Sequence, residues 1–256
     1  MIRGTVIASA TAAGTLLAVT VFATRGHDGR AAACAPDSLV PAYLPPRAIT
    51  ALAGSPHLPR LLVVNPASGP GTEPHPPFRD AVRTAQQAGA RVLGYVHTGW
   101  GARDAGDVER DIDRYADWYG TDGVFLDEAA HDPALAGHYR TLAAHARARG
   151  AQLVALNPGV VPARAYFSFA DVVVTFEGPF SEYEDRVETM PGWLTQVPPD
   201  RIAHLVYGAT REQALELTGG EGPSGRLYVT SGALPDPWSA LPDYLADEQA
   251  ALGGCT

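Results

Sequence analysis

Eight short apolar runs, separated by helical patterns or by Gly and Pro punctuation, constrain this chain more than any other feature. They are Leu39–Leu44, Leu61–Asn65, Arg91–His97, Gly123–Glu128, Ala151–Asn157, Asp171–Glu177, Ile202–Tyr207 and Arg226–Ser231. Most are near-continuous, as in LLVV or VVVTF, the pattern of parallel strands buried on both faces. Between them, Val108, Ile112, Tyr115 and Tyr119 recur at helical spacing, as do Phe78, Val82 and Ala85. Gly89 and Gly150 stand just past helical runs, where a left-handed C-cap is needed. Strand then helix, repeated, predicts the α/β class and a single (β/α)8 TIM barrel over residues 34–256. A doubly wound sheet is the alternative, but no G-x-G-x-x-G follows the first run. With 256 residues and 46% hydrophobic content, the chain has apolar material for one full-sized core rather than two small ones.

Residues 1–33 read as an address rather than as part of the fold. Thr5 to Thr24 carry no charge and follow Arg3, the pattern of an export signal or an uncleaved membrane anchor. Cuts after Ala23 or Ala33 are both plausible, and the second would leave Cys34 at the mature start, where lipidation is a weaker alternative. Export predicts a secreted protein or one on the extracellular cell surface, with a membrane as partner only if the segment is retained or Cys34 is lipidated. The two cysteines, Cys34 and Cys255, bracket the mature chain, and in an oxidising compartment they suggest a disulfide joining its ends. Two unpaired thiols are the alternative.

Composition removes several chemistries. All 19 basic residues are Arg, so a P-loop, a pyridoxal Schiff base and Ser-Lys hydrolysis lack their amine. A net charge of -9 argues against nucleic acid as a partner.

In a barrel, chemistry belongs at the C-terminal ends of the strands. Tyr43, Asn65, Tyr95, His97, Asp127, Glu128, Asn157, Glu177, Tyr207 and Ser231 stand there. The sharpest fragment is GVFLDEAAHD, because charges rarely end a buried strand without a reason. Side chains alternate along a strand, so Asp127 and Glu128 cannot both face the axis; one belongs to the strand and the other to the turn. Glu177, in VVVTFEGPF, is the second acidic strand end. Carboxylates from different strands facing one cleft are what acetal cleavage needs, one protonated as donor and one ionised as nucleophile or base. Helix capping or Arg pairing is the structural alternative for each acid. Metal binding by His97, Asp127, His131 and His138 is disfavoured, since no H-x-H or H-E-x-x-H spacing occurs. No metal and no organic cofactor is expected.

Trp100 and Trp238 follow the third and eighth runs and could stack on sugar faces, whereas Trp118 belongs to a helical stripe. Ser181 to Glu188, with four acids and one Arg, reads as a solvated acidic loop. Attraction for a cationic polymer is the functional alternative.

Together, VNPASGPG, LGYVHTGWGARDAGDVERDIDRYADWYGTDGVFLDE, ALNPGVVP and VVVTFEG resemble the spherulin-4-like proteins of spherulation-specific family 4, from about Val40 to Tyr207. The resemblance implies a secreted (β/α)8 glycoside hydrolase related to the enzymes acting on galactosaminogalactan and to polygalactosaminidases. Its acidic triad falls on Asp127, Glu128 and Glu177. The expectation is an endo-acting hydrolase of N-acetylgalactosamine- or galactosamine-containing exopolysaccharide, retaining or inverting. Glu177 would be nucleophile or base and Asp127 or Glu128 the proton donor. Tyr43, Asn65, Tyr95, His97, Asn157 and Tyr207 would orient hydroxyl and acetamide groups, beside Trp100 and Trp238. The chain is expected to act as a monomer on a polysaccharide partner. A non-catalytic polysaccharide-binding barrel is the competing reading.

Overall fold

The computed structural model describes residues 37–252 except 221. The leader expected over residues 1–33 and the expected Cys34–Cys255 bridge lie outside the described residues. Eight parallel strands form one sheet in sequential order: β1 Leu39–Ala42, β2 Leu61–Val64, β3 Arg91–His97, β4 Gly123–Asp127, β5 Leu153–Leu156, β6 Val172–Pro179, β7 Ile202–Tyr207 and β8 Arg226–Val229. Helices α1 Pro46–Ala53, α2 Pro76–Gln87, α3 Ala105–Arg114, α4 Ala136–Ala148, α5 Phe180–Glu188, α6 Arg211–Gly219 and α7 Leu245–Leu252 follow the strands, save between β5 and β6. That connection, which contains Pro158, Gly159 and Pro162, holds only a 3₁₀ turn, Arg164–Ser168. The architecture is the (β/α)8 barrel that the alternation of runs predicts. Among the described residues no helix is long and apolar enough to cross a membrane.

Register tells which side chains face the axis, because paired residues of parallel strands point the same way. Pro41 pairs with Val63, Val63 with Leu93, Tyr95 with Phe125, Phe125 with Ala155, and Ala155 with Val172. These residues fill the interior, and one step further up the same faces carries polar groups into the C-terminal mouth. The opposite faces pack under the helices. There Gly94 lets Tyr115 lie on β3; a Cβ at Gly94 would stand 2.2 Å from the Tyr115 ring.

Closure between β8 and β1 uses little ladder. Asp37 donates to the Gly225 carbonyl at 2.7 Å and accepts from Leu227 at 2.8 Å. Above that point α7 takes over. Glu248 Oε1 accepts from the Val229 amide at 2.8 Å, and Ser38 Oγ donates to Gln249 Oε1 at 2.6 Å. Side chains thus satisfy backbone and polar groups that a full eighth pairing, β8 with β1, would otherwise have used.

One difference from the sequence reading bears on the site. Ser181 to Glu188 is not a loop but the body of α5. Its acids cover the exposed face, while Tyr183 is buried and Val187 half-buried on the other, so an amphipathic stripe underlies the charge.

Glu248 is fully buried, and desolvation raises its pKa from 4.5 to about 8. The folded protein therefore keeps a proton that the unfolded chain loses above its ordinary value, so stability falls as pH rises from about 4.5 to about 8. Glu248→Gln keeps an acceptor for Val229 and cannot ionise. Denaturation at pH 5 and pH 8 should show the variant losing less stability than the parent over this interval, by more than about 1 kcal/mol. Parallel losses would contradict the assignment.

Candidate active site

The mouth is built by the last inward-facing residue of each strand. His97 pairs with Asp127 in register, and Asn157 follows β5 on the same inward face as Ala155. Plain alternation would not bring Glu177 to this ring. Val174, paired with Ala203, faces inward, and Glu177 stands three residues later, the wrong parity for an uninterrupted strand. The register slips between Val174 and Phe176, leaving Thr175 as the bulged residue. That bulge turns Glu177, paired with Leu205, toward the axis.

Asn157 then ties the two acids together. Its Nδ2 group donates to Asp127 Oδ1 at 2.7 Å and also to Glu177 Oε2. Its own Oδ1 accepts from the Gly159 amide at 3.0 Å, which fixes the amide plane. The Gly159 carbonyl in turn accepts from the Glu177 amide at 3.0 Å, and Gly159 adopts φ 67° to make that turn. On the far side of Glu177, Trp238 Nε1 donates to Oε1 at 3.3 Å.

These surroundings push the two carboxyls unequally. Burial, then the charge of Asp127, raises the Glu177 pKa from 4.5 to about 7, against the opposing bonds from Asn157 and Trp238. Burial raises Asp127 as well, but hydrogen bonding from the Glu128 backbone, Tyr95 and Asn157 opposes it. With more donors aimed at it, Asp127 is the better holder of negative charge. Burial and the Asp127 charge therefore favour the protonated form of Glu177, whose pKa lies near 7, over that of Asp127.

Glu128 is the first residue beyond β4, with φ 51°. A left-handed glutamate is costly and persists only where its surroundings enforce it. Here its carbonyl accepts from Thr98 Oγ1 at 2.8 Å and from the Trp100 amide at 2.6 Å. Thr98 Oγ1 is itself bonded to the Tyr139 hydroxyl at 2.7 Å. Glu128 makes no side-chain hydrogen bond among the described residues, so its carboxylate is free at the mouth. Its charge adds to the upward push on Asp127 and Tyr95.

The remaining sequence-derived residues fall at different distances from this centre. Tyr43 and Tyr95 meet edge to face at 5.4 Å. Burial and then the Asp127 charge push both hydroxyls well up, so they stay protonated donors. His97 Nδ1 is buried with no partner among the described residues. Tyr207 packs edge-on against Trp238 at 6.1 Å. Asn65 faces inward too, but its Oδ1 accepts from the Gly69 amide at 2.8 Å and shapes its own loop. Trp100 is 62% exposed, with φ 54°, on the rim. Trp238 is only 7% exposed, so it acts on Glu177 through its buried indole N–H rather than as an open platform. Sequence reasoning did not find the Thr175 bulge or the Thr98–Tyr139 support. A polar Thr inside an otherwise apolar strand was the available signal for the first.

Among the described residues no three His, Cys, Asp or Glu side chains cluster as metal ligands. What the mouth offers is a pair of half-buried carboxyls with separated affinities for a proton, a third free carboxylate, and a ring of tyrosine hydroxyls.

Asn157→Ala removes a donor that opposes the rise of Glu177. Carboxyl titration by infrared or ¹³C NMR spectroscopy should place Glu177 in the variant above its position near pH 7. An unshifted or lower titration would mean that the amide bridge does not set it.

The spherulation-specific family 4 model matches residues 39–252. Spherulin-4 of Physarum polycephalum is 29% identical over 232 residues, covering 84% of this chain and 69% of that protein. Among solved structures, Aspergillus clavatus Sph3 in complex with GalNAc has a similar fold, with a TM-score of 0.72 at 21% identity, covering 85% of this chain and 98% of that one. The family match spans the whole barrel from β1 to α7, and the chain belongs to spherulation-specific family 4.

Proposed function

We propose that this chain is an exported glycoside hydrolase that cuts internal bonds of a polysaccharide containing N-acetylgalactosamine or galactosamine. The observation that carries the reading is the Asn157 clamp, which holds two half-buried carboxyls from β4 and β6 on one amide nitrogen. GalNAc bound to the related barrel of Sph3 supports the sugar class, and the apolar run Thr5–Thr24 supports export.

Glycosidic cleavage needs a proton for the departing oxygen and a negative group for the anomeric carbon. Glu177, with its pKa near 7, is the donor in this reading, and Asp127 is the ionised partner. The sequence alone favoured Glu177 as nucleophile or base; its environment favours the exchange of roles. Oxygens that share one donor nitrogen lie within about two hydrogen-bond lengths, on the order of 5–6 Å. That spacing suits a double displacement, which uses carboxyls roughly 5–5.5 Å apart, better than single displacement through an interposed water. Asp127 would form a bond to the anomeric carbon as the glycosidic C–O bond breaks and Glu177 protonates the leaving oxygen. Water would then release the sugar, with Glu177 accepting its proton and Asp127 freed as carboxylate. Glu128 would accept from a sugar hydroxyl or amide. Tyr43, Asn65, Tyr95, His97 and Tyr207 would orient the ring, and exposed Trp100 would stack on a neighbouring unit.

Replacement of each acid by its amide tests this on an N-acetylgalactosamine-containing exopolysaccharide, with reducing ends as the readout. Glu177→Gln and Asp127→Asn should each lose at least about 100-fold in rate. In the parent, activity should decline as pH rises through about 7, where Glu177 gives up its proton, and it should be found in the culture medium. Near-parental rates in both of these variants and in Glu128→Gln would overturn the reading. Retention of polymer with no new reducing ends would instead make this a binding barrel.

A further inference from the structure

Beneath α5, three side chains form one hydrogen-bonded chain. The Tyr183 hydroxyl on α5 bonds His204 Nδ1 at 2.9 Å, and His204 Nε2 on β7 bonds Thr175 Oγ1 on β6 at 3.0 Å. All three residues are buried, His204 completely. We propose that His204 is a positioning residue for Glu177: through this chain it selects the bulged register of β6 that turns the carboxyl into the mouth. The proposal rests on the hydrolase reading above for what Glu177 does there, but not for where Glu177 points.

Two registers compete in β6, because a slip of one residue reverses every side chain beyond it. Val174 faces inward, so regular alternation would send Phe176 into the barrel and Glu177 outward. Hydrophobicity alone favours that arrangement. The observed slip does the opposite. Val174 pairs with Ala203 and Phe176 with His204, which leaves Thr175 and Phe176 both opposing the single residue His204. The His204 ring engages the two of them, bonding the Thr175 hydroxyl and meeting Phe176 edge-on at 6.1 Å. Tyr183 closes the group, 5.1 Å from the Phe176 ring and 5.5 Å from that of His204. Phe176 is thereby kept on the outer face, and Glu177 takes the next inward place, opposite Leu205.

An apolar residue at position 204 would fill this layer without choosing between registers. A buried polar chain costs stability unless every group is bonded, so it penalises a register that parts its members. In the regular register Phe176 would leave the outer face. Thr175 would then stand directly opposite His204, beside the root of the ring rather than its far nitrogen, and the chain would be broken. Desolvation lowers the His204 pKa from 6.5 to about 3. The chain therefore keeps one protonation state while Glu177 titrates near 7.

Thr175→Val tests the assignment, since it keeps the branched shape and removes the hydroxyl. Thr175→Ser restores the hydroxyl, Tyr183→Phe removes the far end of the chain, and Thr218→Val removes a buried hydroxyl on α6 as control. The readouts are Glu177 titration by infrared or ¹³C NMR spectroscopy, thermal denaturation, and kcat and KM on an N-acetylgalactosamine-containing exopolysaccharide. In Thr175→Val, Glu177 loses the burial and the Asp127 charge that raise it, so its titration should fall from near 7 toward 4.5, by at least about one pH unit. Its kcat should fall at least about 10-fold, with KM changed less than about twofold. Tyr183→Phe should move both in the same direction by less, Thr175→Ser should restore both, and Thr218→Val should lower stability while moving neither. A folded Thr175→Val protein whose Glu177 titrates as in the parent would overturn the proposal. So would a shift in Thr175→Ser or Thr218→Val as large as that in Thr175→Val. If Thr175→Val does not fold, Tyr183→Phe decides, and an unmoved titration there overturns the proposal. If the parent cleaves nothing, the hydrolase reading fails and the titration alone decides the role of His204.

Discussion

A single amide group, the side-chain nitrogen of Asn157, stands between two carboxyls that burial would otherwise drive apart or neutralise. Like charges in a poorly solvated space raise each other's pKa, and the unequal donors around each oxygen favour the proton on Glu177 over Asp127. Every other element of the mouth serves this arrangement. β4 and β5 supply Asp127 and Asn157 by simple alternation, the bulge of β6 supplies Glu177, and Trp238 holds the far oxygen of that glutamate. The barrel provides the frame, because eight strands ending at one rim bring residues far apart in sequence within reach of one small ligand.

Maintaining this site costs stability in identifiable places. Glu128 and Trp100 both occupy left-handed backbone, and each is stabilised by the other's neighbourhood, through the Glu128 carbonyl and the Thr98–Tyr139 bond behind it. Glu177 remains half-buried with its pKa displaced upward. Such features collect where chemistry is done and are tolerated because the surrounding core is extensive. Glu248 has a comparable displacement but a different task, since it completes the seam between β8 and β1. A shifted pKa by itself therefore does not mark the site; convergence on the mouth does.

Much of this was legible in the residues. Near-continuous apolar runs identified the strands because parallel strands are buried on both faces, and the polar residue ending each run named the ring of the mouth. The turn at Asp127-Glu128 follows from alternation, and the structure puts Asp127 on the strand and Glu128 past it. Three features were not legible. The bulge at Thr175 changes parity through pairing with β7, a tertiary effect with no local period. The cross-strand role of Asn157 depends on two partners 30 and 20 residues away. Helix α5 was hidden because its acids gave the composition of a loop, while its packing residues, Tyr183 and Val187, are few.

The central claim is that an amino-sugar bond sits between Asp127 and Glu177, and a structure of the Asp127→Asn protein with an N-acetylgalactosamine oligomer tests it most directly. The account predicts an anomeric carbon facing residue 127, with the glycosidic oxygen within hydrogen-bond distance of the Glu177 carboxyl. An oligomer bound away from the mouth, or one whose glycosidic oxygens all lie out of reach of Glu177, would contradict it.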